Sequence, residues 1–174
     1  MHTARIFFFA FTSISFIYSV SAQQPEWYSK IKELSLLNSN YEDVIGVYDL
    51  ASKVENQQDL FHRYLWAIDS DDGVVDISLK EGEPCSDGST MRPGWNVPEW
   101  TVVGIVFIPN WKKQPSINQL PFSLAGFDEG TDENGRSYYW SHSQGIQVST
   151  ESNKNVSEIS FFPPLSMAFM HCKE

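Results

Sequence analysis

The sequence predicts an α+β fold, an N-terminal helix packed on an antiparallel β-sheet of about six strands. Three features of the chain predict it. A helix-start signature precedes a helical apolar stripe between Asn40 and Ala51. Past Leu60 the apolar residues fall into short runs of extended type. Turn-forming clusters of Asp, Asn, Ser and Gly divide those runs into two sets of three.

The first segment reads as an address. Arg5 supplies a positive start, Ile6 to Val20 is apolar and rich in Phe, and Val20-Ser21-Ala22 fits a signal-peptidase site. As a helix the apolar run rises only ~22 Å, short of a ~30 Å hydrocarbon core, so it is read as a cleaved leader and not an anchor. Residues 1–22 are therefore expected to be a signal peptide and residues 23–174 a single exported domain, periplasmic or extracellular, with no membrane span after cleavage.

Within the domain, Trp27 to Leu34 fits a short helical turn. Ser39-Asn40-Tyr41-Glu42 fits a capping box, in which Ser39 caps and Glu42 reaches back. Tyr41, Val44, Ile45 and Tyr48 then share one helix face, and the helix is placed at Asn40 to Ala51. Phe61 to Ile68 reads as a strand, Asp69 to Gly73 as a turn, and Val75, Ile77 and Leu79 as the inward positions of a second strand. Trp100 to Ile108 lacks polar alternation and reads as a central strand covered on both faces. The segment from Trp111 to Asp128 reads as a strapped loop or a short helix packed through Leu120, Phe122, Leu124 and Phe127, and Asp128 to Asn134 as an acidic turn. Arg136 to His142, Ile146 to Glu151 and Val156 to Phe162 complete a meander. No internal repeat is obvious, although each half ends in an apolar strand followed by Pro.

Charge and composition narrow the function. The chain has 12 Lys and Arg against 22 Asp and Glu, a net charge of -10. Nucleic acid is excluded as a partner, because phosphate binding needs a basic footprint. With 12 Phe, 7 Tyr and 6 Trp the chain has ample apolar area for a core. Export favours a bridge between the two cysteines, Cys85 and Cys172, tying the C-terminal tail to the body. Closing a loop of roughly 90 residues contributes about 4 kcal/mol as an upper figure.

Catalytic and metal motifs are mostly missing. His62, His142 and His171 stand apart from any nucleophile signature, and no G-x-S-x-G occurs. The acidic groups at Asp69 to Asp72 and Asp128 to Asn134 break the register of an EF-hand and read as solvated turns, so no metal and no cofactor are assigned. Trp66, Trp100 and Trp140 fall on strands and read as core, whereas Trp95 and Trp111 fall in loops. The candidate binding residues are therefore Trp95 and Asn96 in the Gly94–Trp100 loop, together with Trp111. Trp95 offers a rigid anchor and Asn96 a directional donor and acceptor.

Three segments carry a resemblance: the Leu-rich stretch into Ser39-Asn40-Tyr41-Glu42-Asp43-Val44, Cys85-Ser86-Asp87-Gly88 followed by Gly94-Trp95-Asn96-Val97-Pro98, and Cys172. They resemble a family of secreted acidobacterial-type proteins in which a Cys and a G-W-N-V-P motif lead into a Thr-Val strand, here Thr101-Val102. The opening helix is also similar to the start of small outer-membrane lipoprotein and β-lactamase-inhibitor-protein-like folds, without their lipobox or Gly-x-Pro helix closure. These resemblances imply export and an α+β fold and carry no activity with them. The expected function is non-catalytic binding of a protein or glycan. The alternative is a hydrolase of envelope polymers working through paired carboxylates.

Overall fold

A computed structural model of the chain describes residues 24–48, 54–57, 63–80, 82–85, 94–170 and 172. The leader expected over residues 1–22, the last residues of the expected helix, Asp49 to Ala51, and Phe61, His62, Ser86 to Gly88 and His171 lie outside the described residues. Among the described residues, no helix is long and apolar enough to cross a membrane.

Two short helices precede the sheet, α1 (Glu26–Glu33) and α2 (Tyr41–Tyr48). The cap of α2 differs from the expected one by a single residue. Asn40, not Ser39, is the N-cap: its Oδ1 accepts from the Glu42 N–H at 2.8 Å and the Asp43 N–H at 3.2 Å. Asp43 closes the box by accepting from the Asn40 N–H at 2.8 Å. Ser39 is buried and its hydroxyl accepts from the Ser35 N–H, which closes the preceding turn. Two overlapping signatures compete here, and the backbone pairing of Asn40 with Thr101 decides between them. That bridge holds Asn40 extended, as an N-cap must be.

The strands are β1 (Val54–Gln57), β2 (Arg63–Ser70), β3 (Gly73–Leu79), β4 (Val102–Pro109), β5 (Asp128–Thr131), β6 (Ser137–Ser141), β7 (Ile146–Thr150) and β8 (Val156–Phe161). They form one antiparallel sheet in the order β1-β2-β3-β4-β8-β7-β6-β5. The six strands expected from the sequence are all present, and β1 and β5 extend the sheet at its edges. β5 takes the first half of the expected acidic turn. The rest is a tight turn organised by Asp132, whose carboxylate accepts from the Asn134 and Arg136 N–H groups and from the Tyr138 hydroxyl. These bonds, the one to Arg136 foremost, hold the Asp132 carboxyl below its usual range.

Each half of the sheet is a four-stranded meander, and the halves meet where β4 pairs with β8. The last strand of each half carries a bulge next to its first residue. Leu79 pairs with Val102 but Ser78 with Gly104, so Val103 is extra; Thr150 pairs with Val156 but Ser149 with Glu158, so Ser157 is extra. A bulge resets the two-residue alternation. It lets Val102 and Ile105 turn inward together, and Val156 and Ile159 likewise. Val102-x-x-Ile105-x-Phe107 and Val156-x-x-Ile159-x-Phe161 thus occupy equivalent places about the Val106–Ser160 pair. The two strands match at three identical residues, too few to register as a repeat in the sequence.

One buried cluster unites Trp27, Ile31, Leu34 and Val44 with Val75, Ile77, Leu79, Val102, Ile105, Phe107, Val148, Val156 and Ile159. The Trp27 indole stacks on Phe107 with ring centroids 4.0 Å apart. Leu120, Phe122 and Leu124 pack against the cluster from the connection after β4, as the strap reading expects. β4 departs from the expected double coverage: Val102, Ile105 and Phe107 are buried, whereas Val103 and Val106 are half-buried and Ile108 is exposed. An antiparallel sheet needs only one covered face.

Candidate functional site

The backbone around Thr101 is gripped from two sides. Thr101 C=O accepts from the Lys80 N–H at 2.7 Å, and Trp100 N–H donates to Lys80 C=O at 2.8 Å. On the other side Val102 N–H donates to Ser39 C=O and Leu37 N–H to Val102 C=O, each at 2.8 Å. Immediately before β4 the chain folds tightly, with the Thr101 hydroxyl donating to Pro98 C=O at 2.8 Å. This ladder sets the first turn of α2 beside the Pro98–Thr101 turn.

Between them lies an open cavity of about 510 Å³, in the size range of small-ligand sites. Tyr41 and Trp100 stand edge to face within it, ring centroids 5.6 Å apart, both half-buried. Glu42, Glu99, Asn38 and Asn40 also line it, and all four are exposed. Leu37, a further lining residue, and Trp100 hold left-handed backbone at φ 64° and 67°. Such backbone costs on the order of 1–3 kcal/mol per non-glycine residue and persists only where surrounding contacts impose it. Here the ladder around Thr101 imposes it.

Trp100 lies just before β4 and not on it, and it meets the core expectation in part: it is half-buried and packs against the core cluster. Among the described side chains the buried Trp is Trp27, 7% exposed, and Trp66, also expected in the core, lies outside them. Trp140 is half-buried on β6 with its ring over Gly130.

Cys85 and Cys172 form the expected disulfide, with Cα atoms 5.4 Å apart. The tail is also tied by backbone bonds: Cys172 N–H to Gly94 C=O, Asn96 N–H to Met170 C=O, and Cys85 N–H to Trp95 C=O. The Gly94–Val97 segment is thus a fastening for the tail, with Val97 buried, Trp95 half-buried and the Asn96 side chain exposed. Trp111 is 76% exposed at the far end of β4, with the Lys112 ammonium 5.1 Å from its ring centroid. A strand of that length spans roughly 25 Å, so Trp111 does not join Trp95 and Asn96 in one site. The sequence analysis assigns Tyr41 to a helix face, Glu42 to a cap and Trp100 to the core; Glu99 and Trp100 fall within the Gly94–Trp100 loop but are not its candidate binding residues, because a left-handed Trp leaves no mark in composition or periodicity.

Among the described residues, no group of three His, Cys, Asp or Glu side chains is placed to hold a metal ion. Set against known proteins, the chain matches no family model, no curated protein and no solved structure.

Proposed function

We propose that this chain is an exported, non-catalytic domain that binds a protein or glycan partner in the periplasm or outside the cell. The observation that carries the reading is the open cavity with Tyr41 and Trp100 as its aromatic wall. Aromatic rings presented at a concave, partly polar surface supply rigid contact area at small entropic cost. The leader-like start of the sequence and the Cys85–Cys172 bridge support export. Trp111 supplies a separate exposed anchor.

The test uses the oxidised chain from Gln23 to Glu174 against immobilised envelope glycans and envelope proteins. Trp100→Gly removes the ring while keeping left-handed backbone accessible. A saturable partner lost in Trp100→Gly, measured at a temperature where the variant is still fully folded, is the expected result. Turnover of an envelope polymer by the purified chain, or capture indifferent to Trp100→Gly, overturns the reading.

A further inference from the structure

Asn155-Val156-Ser157 is the one N-x-S/T triplet in the chain, and its middle residue is not Pro. The triplet opens β8, directly after the exposed turn residues Ser152 to Lys154. The main chain of Asn155 is committed. Its N–H donates to Asn153 Oδ1 at 2.9 Å, and its C=O accepts from the Glu151 N–H at 2.8 Å. The strap after β4 grips the residues on either side. Val156 N–H donates to Pro115 C=O at 2.9 Å and Ile117 N–H to Lys154 C=O at 3.3 Å, about a Ser116–Asn155 bridge. The Asn155 side chain has no part in this. Asn153 makes the Asx turn, and among the described residues no hydrogen bond engages the Asn155 amide. That amide is not a buried orphan either, a condition met among the described residues by the Tyr48 hydroxyl, so it reaches solvent. Val156 is fully buried, and alternation turns Asn155 away from it. Ser157, half-buried, occupies the extra position of the β8 bulge. What separates Asn155 from any other surface amide is the hydroxyl two residues on, together with the two marks of export, the leader-like start and the Cys85–Cys172 bridge.

We propose that Asn155 is an N-glycan acceptor, loaded in an oxidising secretory compartment from a lipid-pyrophosphate-linked oligosaccharide. The inference rests on the export part of the reading above and is independent of the binding part. In the transfer the Asn155 amide nitrogen attacks the anomeric carbon of the sugar. The new C–N bond replaces the C–O bond to pyrophosphate, the lipid pyrophosphate leaves with the electron pair, and the amide gives up one proton to the transferase. β8 runs antiparallel to β4, so Asn155 lies toward the Pro109 end of β4, away from the cavity beside Thr101.

The test is translation of the full chain with endoplasmic-reticulum microsomes under oxidising conditions, read by protease protection and gel mobility. The protected chain is expected to gain the mass of one N-glycan. Peptide-N-glycosidase should remove it and convert the acceptor Asn to Asp, located at position 155 by mass spectrometry. Asn155→Gln and Ser157→Ala should each abolish the gain, and Ser157→Thr should keep it. A protected chain without the glycan, or a glycan that survives Asn155→Gln, overturns the inference and leaves export standing. A chain that is not protected overturns export; the same residues behind a proven leader then decide the glycan alone, by the same two outcomes. The glycosylated chain should also carry the Cys85–Cys172 bridge and melt no lower than its deglycosylated form. A glycan found only on chains lacking the bridge marks a misfolded by-product and overturns the inference as well.

Discussion

Gly145 closes the turn between β6 and β7 with φ 67°, donating its N–H to Ser141 C=O and accepting from Phe162 N–H, both at 2.8 Å. A Cβ placed there would run into the backbone of Phe162 and Pro164. Gly126 has a similar left-handed φ of 83° but open space around it. Gly126→Ala should therefore cost about 1 kcal/mol, the conformational part alone, and Gly145→Ala at least ~2 kcal/mol. Urea unfolding of the two variants checks the difference; equal losses would mean that the backbone at Phe162 yields freely. Tyr48 makes a second prediction at this scale. Its hydroxyl is buried with no hydrogen-bond partner among the described residues. Burial, assisted by the Glu33 charge, pushes its phenol far above the usual range. A raised folded-state value means that stability is intact below the ordinary phenol range and falls as pH rises through it, from about pH 10 upward. Tyr48→Phe should hold or raise stability at neutral pH and flatten that alkaline loss, read from melting temperatures between pH 8 and 11.

Among the elements, α2 depends on its first turn. Asn40→Ala removes the acceptor for two N–H groups and should cost about 1 kcal/mol in chemical denaturation. An unaffected Asn40→Ala variant would return the cap to Ser39. The contrast between these neighbours shows what the sequence makes legible. Ser39-x-x-Glu42 and Asn40-x-x-Asp43 are both valid signatures, and the choice rests on the Asn40–Thr101 bridge, a contact between residues far apart in the chain. The six strands, their turns and the strap were legible because alternation and turn chemistry are local. β1 and β5 were not: Val54–Gln57 holds one apolar residue, and Asp128–Thr131 none, so their strand state comes from the neighbours they pair with. The cavity was equally hidden, since Trp100 reads as the start of a β-strand until the grip on Thr101 turns it left-handed.

For the whole molecule the bridge is the dominant single constraint. Cys85 lies in the connection between β3 and β4, and Cys172 follows the last strand, with 87 residues of separation. Reduction should cost up to about 4 kcal/mol through regained chain entropy, measured as the change in unfolding free energy with and without reductant. A loss well under 1 kcal/mol would mean that the backbone bonds from Gly94 to Cys172 hold the tail unaided. The pairing was legible from two cysteines and a leader-like start of the sequence. The reason for its position was not, because it lies in the arrangement of the two meanders.

That arrangement has a consequence for how copies of this chain meet. The seam between the meanders comprises the pairs Ile105–Phe161, Val106–Ser160 and Phe107–Ile159, and its two strands are near equivalents. Nothing in such a seam distinguishes β8 of the same chain from β8 of another, apart from tethering, which raises the local concentration of the resident strand. The disulfide adds a second tether across the seam, joining the first meander's connection to the tail of the second. A Cys85→Ser/Cys172→Ser variant should therefore trade halves between copies at high concentration, giving dimers that the oxidised chain does not form. Light scattering on both proteins over a wide concentration range reads this directly, and a strictly monomeric variant would show that the seam is closed by side-chain packing, with the covalent staple adding stability but not identity.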